Sequence, residues 1–251
     1  MPDTVPSSTA PPFSVIVPTL NEAKLLGAML SQFTPALCER FGIEVIVSDG
    51  GSTDGTQEIA RSAGARLVEH AEARRQTIAE GRNAGAAAAQ GAVMIFVNAD
   101  TRFASPSHFF EAVGACMHDS RCQAIAFPVT VFPEERRLSD RIFHFVHNGY
   151  FHFLNVIGVG MGRGECQVIR ASAFHRVRGY DAAYTAGEDF DLYRRLRRLG
   201  PIPFLNDCMV YESPRRYRKY GYLRVVWDWF RNAISVMFAR KSVSDEWEQV
   251  R

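Results

Sequence analysis

Three acidic clusters stand where the pattern changes abruptly from apolar to polar. Asp49 follows Val45-Ile-Val47 and lies in the turn-forming stretch Ser48-Asp-Gly-Gly-Ser-Thr-Asp-Gly-Thr56. A carboxylate there can accept hydrogen bonds from a base or a ribose, or it can simply organise the turn around Gly50 and Gly51. Asn98-Ala-Asp100 follows Val93-Met-Ile-Phe-Val97. A carboxylate flanked by an amide oxygen suits a hard divalent cation bridging phosphate oxygens. The plainer alternative is a capping Asp ahead of Ser105 and Pro106. Glu188-Asp-Phe-Asp191 heads the stripe Leu192-Tyr-Arg-Arg-Leu-Arg-Arg-Leu199. Acids in a first helical turn, with bases about four residues on, favour the helix dipole, and that alone accounts for the pattern. A fourth group, Ser213-Pro-Arg-Arg-Tyr-Arg-Lys219, is cationic. Its guanidinium groups, Arg215 and Arg216 among them, can fork onto phosphate oxygens or stay on a solvated basic surface.

Strands must hold these clusters at one edge. Phe13–Thr19 is a short apolar, β-branched run and reads as a buried strand. Asn21-Glu22 opens a helix on which Leu25, Leu26, Met29, Leu30 and Phe33 recur at helical spacing. Ile43–Val47, Arg66–Glu69, Val93–Val97 and Gln123–Phe132 read as further strands. Helices are expected from about Gln76 to Gln90 and from Ser107 to Met117, with Asp54 or Thr56 capping another after the turn loop. Such alternation implies parallel βαβ units, and the polar clusters fall beyond the carboxyl ends of the strands, where open α/β sheets bind ligands. After about residue 133 the alternation fails, and loops and helices rich in aromatics and arginine follow. No repeat and no separating linker is visible.

Taken in order, the motifs resemble glycosyltransferase family 2. Val15-Ile-Val-Pro-Thr-Leu-Asn-Glu22 and Val45 to Thr56 match its opening, and Arg82-Asn-Ala-Gly85, Gly91 and Asn98-Ala-Asp100 continue it. Gly179-Tyr-Asp181, Gly187-Glu-Asp-Phe-Asp-Leu192 and Arg195-Leu-Arg-Arg-Leu-Gly200 complete a resemblance over roughly residues 13–200. It implies an α/β fold of GT-A type, a Rossmann-like mixed central sheet flanked by helices, with a helical and loop-rich C-terminal extension. It implies a nucleotide-diphospho-sugar donor and Mg²⁺ or Mn²⁺. By the same resemblance Pro18, Thr19 and Glu22 line the nucleoside pocket, Asp49 contacts the base and Arg82 sits beside the nucleotide. Asp100 is the metal ligand kept from the family's Asp-x-Asp, and Asp189, with Glu188 beside it, is the general base of an inverting displacement. Asn98 departs from the pattern; it offers a neutral oxygen, or the metal uses Asp100 alone.

Elementary chemistry agrees with these roles. A sugar hydroxyl is a poor nucleophile and needs a carboxylate to take its proton. The leaving diphosphate gains charge that a metal and cations such as Arg215 and Arg216 stabilise. Two other classes are a nucleotide-sugar-binding protein with weak or lost catalysis, motivated by Asn98, and a nucleotidyltransferase. The latter is disfavoured because no glycine-rich loop with a lysine follows the first strand. The expected organisation is a disordered tail over 1–12, one domain over 13–220 and an amphipathic helical extension over 221–251. Within the domain, 13–132 form the nucleotide-binding half and 133–220 the acceptor-binding half.

Composition narrows the class and the setting. With 251 residues, 47% hydrophobic and 22% charged, the chain buries a core without disulfides and is not a disordered sequence. Its net charge of +2 conceals an acidic first half and an arginine-rich second half, and coding bias toward arginine competes with function as the explanation. Five scattered cysteines without a Cys-x-x-Cys pair argue against a disulfide framework or structural zinc and fit a reducing cytosol. The first twelve residues lack the basic start and apolar run of a signal peptide. No nucleic-acid partner is expected, since acids balance the arginines and no aromatic-interleaved motif is present.

Ile142 to Gly162 carries no Asp, Glu, Lys or Arg, but its histidines, asparagines and glycines argue against a spanning helix. By resemblance, Phe143 to Phe153 lies where acceptor-binding elements fall; otherwise it is a core helix with surface histidines. Without nearby carboxylates in sequence, those histidines are not expected to bind a metal. Tyr222 to Phe238 concentrates Arg224, Asp228 and Arg231 on one stripe, so it packs on its own protein or lies in a membrane interface. The resulting expectation is a cytoplasmic protein, with the option of a peripheral seat on the inner membrane face and a lipid-linked or saccharide acceptor.

Overall fold

The computed structural model describes residues 12–72, 74–184 and 186–239. Apart from Pro12, the tail expected at 1–12 lies outside them, as does the end of the 221–251 extension. The elements run β1 (Phe13–Thr19), α1 (Ala23–Leu30), α2 (Pro35–Phe41), β2 (Ile43–Asp49), α3 (Thr56–Ser62), β3 (Arg66–Glu69), α4 (Ile78–Ala88) and β4 (Val93–Val97). Then come β5 (Thr101–Phe103), α5 (Pro106–Met117), β6 (Ala124–Ile125), β7 (Val129–Val131), α6 (Leu138–Val156), β8 (Cys166–Arg170) and α7 (Ala171–Arg176). Finally come α8 (Glu188–Arg197), β9 (Val210–Glu212), α9 (Arg215–Tyr220) and α10 (Tyr222–Ala239).

The main sheet has the order β3-β2-β1-β4-β8-β6. Its first four strands are parallel, and β8 runs antiparallel between β4 and β6, so the sheet is mixed. Period-two alternation feeds both faces. Val15, Val17, Val47, Ile95 and Val97 pack on one side with residues of α1 and α5. Ile16, Ile46, Met94, Phe96 and Ile169 pack on the other with α4 and α8. After β3 the chain returns across β1 to form β4, so a crevice opens beyond the carboxyl ends of β1 and β4. That reversal point is where open α/β sheets take their ligands.

One expected strand is two. The run Gln123–Phe132 breaks at Phe127-Pro128: β6 joins the main sheet, while β7 joins a second sheet ordered β5-β9-β7. Pro128 has no N–H to give a ladder, and its carbonyl instead accepts from Val210 N–H at 3.0 Å. The second sheet lies under the cleft and carries Glu212 to it. The expected 107–117 helix begins at Pro106 with Ser105 as its N-cap, so Asp100 is not its cap. Among the described residues no helix is long and apolar enough to cross a membrane.

Candidate active site

A cleft of about 1220 Å³ opens at the crevice and is lined from β1, the segment after β4, α4, α6, α8, α9 and α10. Pro18, Thr19, Glu22, Arg82, Asn98, Asp100, Glu188, Asp189, Arg215 and Arg216 all line it. The structure therefore gathers every residue singled out from the sequence except Asp49, which does not line the cleft.

Asp49 is fully buried beneath the turn loop. Its oxygens accept from Thr19 Oγ1 at 2.9 Å, from Gly51 and Ser52 N–H at 3.1 and 2.8 Å, and from Gln57 Nε2 at 2.8 Å. Burial works against its charge, yet the hydrogen bonds from Ser52, Gln57 and Thr19 together hold the carboxyl below the usual range. The turn-organising alternative thus describes its contacts. Asn21, in a left-handed conformation (φ 55°), ties the same loop to β1. Its N–H donates to Ser52 Oγ at 2.7 Å and its Oδ1 accepts from Thr53 N–H at 2.8 Å.

One end of the cleft is built from Glu22, Asp100 and Arg215. Arg215, at the start of α9, grips Glu22 with both Nη atoms at 3.0 and 2.8 Å and reaches Asp100 Oδ2 at 3.2 Å. Burial pushes the Asp100 carboxyl up to about 6 against the pull of Arg215, and Glu22 and Glu165 push the same way. Asp100 with Glu22 and Glu165 nearby forms a hard-oxygen site bordered by Arg215 and Arg216. That donor set fits Mg²⁺ or Mn²⁺ bound through Asp100 together with phosphate oxygens. Asn98 lines the same cleft, and its Oδ1 accepts from Arg82 Nη2 at 3.3 Å.

The other end rests on α4 and α8. A Cβ at Gly85 would lie 2.4 Å from Ile16 Cγ2, so glycine lets α4 press against β1. One turn earlier Arg82, 1% exposed, donates to Glu188 Oε1 at 2.9 Å and to the Gly164 carbonyl at 2.7 Å. Gly187 takes φ 85° just before α8 and thereby aims Glu188 and Asp189 into the cleft. Burial, reinforced by Glu188 and opposed by Arg82, pushes Asp189 up to about 7. A carboxylate of that basicity can receive a hydroxyl proton near neutral pH.

Sequence reasoning missed a largely buried network on the wall of the same cleft. Arg163 donates to Glu165 at 3.1 Å from both Nε and Nη2, and to Glu212 at 2.8 Å. Tyr217 OH also donates to Glu212 at 2.8 Å. Burial is outweighed by Arg163 at Glu165, which stays low, whereas burial and the Glu165 charge push Glu212 well up. The alternation of charge and glycine in Gly162-Arg-Gly-Glu165, in apolar surroundings, was the available signal. The histidines differ from expectation too. His144 is buried, and it and His147 each meet Arg163 Nη1 at 3.4 Å through Nδ1. Burial and that cation push both down to about 3. Among the described residues, the one set of three His, Cys, Asp or Glu side chains whose ligand atoms lie within 4.8 Å of one another is His108, Asp207 and Cys208, none of which lines the cleft.

The sequence model of glycosyl transferase family 2 matches residues 14–178. The succinoglycan biosynthesis protein ExoA of Rhizobium meliloti is 28% identical over 232 residues, 84% of this chain and 67% of that protein. A PGL/p-HBAD biosynthesis glycosyltransferase of Mycobacterium tuberculosis is 39% identical over 95 residues, and the matched stretch spans only 36% of each chain. Among solved structures, the mannosyltransferase PcManGT from Pyrobaculum calidifontis, in complex with GDP-Man and Mn²⁺, superposes with a TM-score of 0.69 at 20% identity. That match covers 93% of this chain and 64% of the other. Glucosyl-3-phosphoglycerate synthase from Mycobacterium tuberculosis, with Mn²⁺, UDP and phosphoglyceric acid, gives 0.61 at 19% identity, covering 94% and 80%.

Proposed function

The chain belongs to glycosyltransferase family 2 and carries the GT-A fold, and we propose that it transfers a sugar from a nucleoside-diphosphate donor to an acceptor hydroxyl by a single inverting displacement. The observation that carries this reading is the convergence of two separate acidic centres in one cleft. Asp100 and Glu22 share Arg215 on the phosphate side, and Asp189, beside Glu188 and Arg82, stands on the other, with burial raising the pKa of both aspartates. Relatives solved with GDP-Man or UDP and Mn²⁺ support a donor and metal of these classes.

Pro18, Thr19 and Glu22 bound the nucleoside side, and Asp49 acts by holding the turn that shapes it. Asp100 would hold Mg²⁺ or Mn²⁺, which supplies charge stabilisation to the departing diphosphate. Arg215, already beside Asp100, exchanges part of its contact with Glu22 for a phosphate oxygen, and Arg216 borders the same space. Asp189 orients the acceptor hydroxyl and takes its proton as the oxygen attacks the anomeric carbon from the face opposite the diphosphate. Glu188 and Arg82 are positioning residues: their ion pair fixes the first turn of α8. We place the reaction on the cytoplasmic side, with the protein peripheral to a membrane and a lipid-linked or saccharide acceptor.

A thermal-shift screen of nucleoside diphosphates, with Mn²⁺, Mg²⁺ or neither, tests the reading. One nucleotide is expected to stabilise the protein in a metal-dependent way, by ~2.7 kcal/mol at a hundredfold excess over Kd. Failure of every nucleoside diphosphate with either metal would overturn it.

A further inference from the structure

Helix α6 carries much of its apolar surface outward. Its inner face packs Phe143, Phe151 and Leu154 but also holds polar groups: Asp140 is held by Arg218 at 2.6 and 2.8 Å, Asn148 bonds both backbone groups of Val129 at 3.0 Å, and Asn155 bonds those of Met161. Its outer face carries Leu138, Ile142, Phe145, Val146, Tyr150 and Phe153, and Phe145 is 81% exposed. Those spacings of four, three, one, four and three form one helical stripe. Helix α10 lies alongside, with Phe143 and Tyr222 rings 4.3 Å apart and His147 stacked on Trp229 at 5.2 Å. It adds exposed Leu223, Val226 and Trp227. The most exposed large apolar side chains among the described residues all belong to these two helices and the turn after α6. Core packing does not call for such a surface, and soluble proteins rarely leave one uncovered.

Charge identifies the partner. Arg136, Arg137 and Arg141 stand exposed where α6 begins, and Lys219, Arg224 and Arg231 stand exposed on α9 and α10. Glu135 and Asp228 oppose them only in part, with Asp228 3.9 Å from Arg224. An apolar stripe rimmed by cations fits an anionic lipid surface, whereas a second copy of the chain would bring like charges together. The stripe also runs into the cleft, since Ile142, Val146, Tyr150 and Val226 line both.

We propose that the outer faces of α6 and α10 form a docking surface for an anionic bilayer, which leaves the mouth of the cleft at the lipid. The membrane seat is thus assigned to both helices, with α6 supplying most of the apolar area. That the acceptor enters from the bilayer rests on the transferase reading above; the docking itself does not.

The full chain is floated with vesicles of phosphatidylcholine alone or mixed with phosphatidylglycerol, at low and high salt. Binding is expected only with the anionic lipid and weakened by salt. The double variant Phe145→Glu/Phe153→Glu is expected to bind about tenfold or more weakly. Both side chains are exposed, so its nucleotide-dependent thermal shift serves as the folding control and stays unchanged. Equal binding by parent and variant, or no binding by the parent, overturns the proposal. So does a parent dimer that the double variant splits while vesicle binding is unaffected. A parent that responds to nucleotide but not to vesicles fails this inference alone; one that binds vesicles but no nucleotide fails the transferase reading.

Discussion

Replacing Asp189 with Asn separates catalysis from stability. Burial and Glu188 hold the Asp189 carboxyl at about 7 instead of 3.8, against the pull of Arg82. A carboxyl whose pKa is higher in the folded than in the unfolded chain weighs against the fold once it ionises. Both states keep the proton below pH about 4, the penalty grows from about 4 to 7, and it is complete above 7. The full difference corresponds to ~4 kcal/mol. Asp189 borders a cleft open to solvent, and screening there reduces the expected effect to ~1–2 kcal/mol. Asn keeps the oxygen that accepts from Phe190 N–H at 2.8 Å and carries no charge. Asp189→Asn is therefore expected to melt roughly 2–6 °C above the parent at pH 8, with the gap closing toward pH 4. Turnover is expected to fall about 10²- to 10⁴-fold. Calorimetry at several pH values reads the first effect; release of nucleoside diphosphate from UDP- and GDP-sugars with Mn²⁺ reads the second. Turnover within a factor of about three of the parent would remove Asp189 as the base. A variant less stable at pH 8 would refute the electrostatic argument.

Two further substitutions probe the rest of the cleft. Arg215→Met frees Asp100 and Glu22 from their present cation, so titration calorimetry should find Mn²⁺ bound several-fold more tightly by the nucleotide-free protein, while donor turnover drops about tenfold or more; unchanged metal affinity would show that arginine and metal do not compete. Arg163→Met strands Glu165 and Glu212 in a buried pocket and should lower stability in urea by ~3–5 kcal/mol, and a loss under about 1 kcal/mol would mean the network is not holding the site together.

Much of the frame was legible because it is local. The strands at Phe13–Thr19, Arg66–Glu69 and Val93–Val97 have the expected bounds. Each is a short β-rich run bounded by turn formers. The motif-bearing residues Glu22, Asp100, Asp189 and Arg215 were identifiable from residue type and from their place beyond a strand or at the start of a helix. The short β8 and β9 were not visible. Five and three residues carry almost no periodicity, and β9 exists because β5 and β7 offer it partners from far away in the chain. In the same way Pro128 divides what looked like one strand, because each half found a different sheet.

The sequence alone determined the family, the succession of strands and helices along the first half of the chain and the chemical types of side chain beyond the strand ends. Tertiary structure decided which of those side chains remain available. It buried Asp49 under its own turn, turned Asn98 toward Arg82, joined Glu22 to Arg215 across 193 positions and enclosed Arg163 with two carboxylates. It also turned α6 so that His144, Asn148 and Asn155 face inward while Phe145 and Phe153 face out. A repeat of 2 or 3.6 residues records which positions share a face. Which face is covered depends on what packs there, and for α6 the partners of its polar side are Arg163, Arg218 and Val129, reached only when the chain has folded.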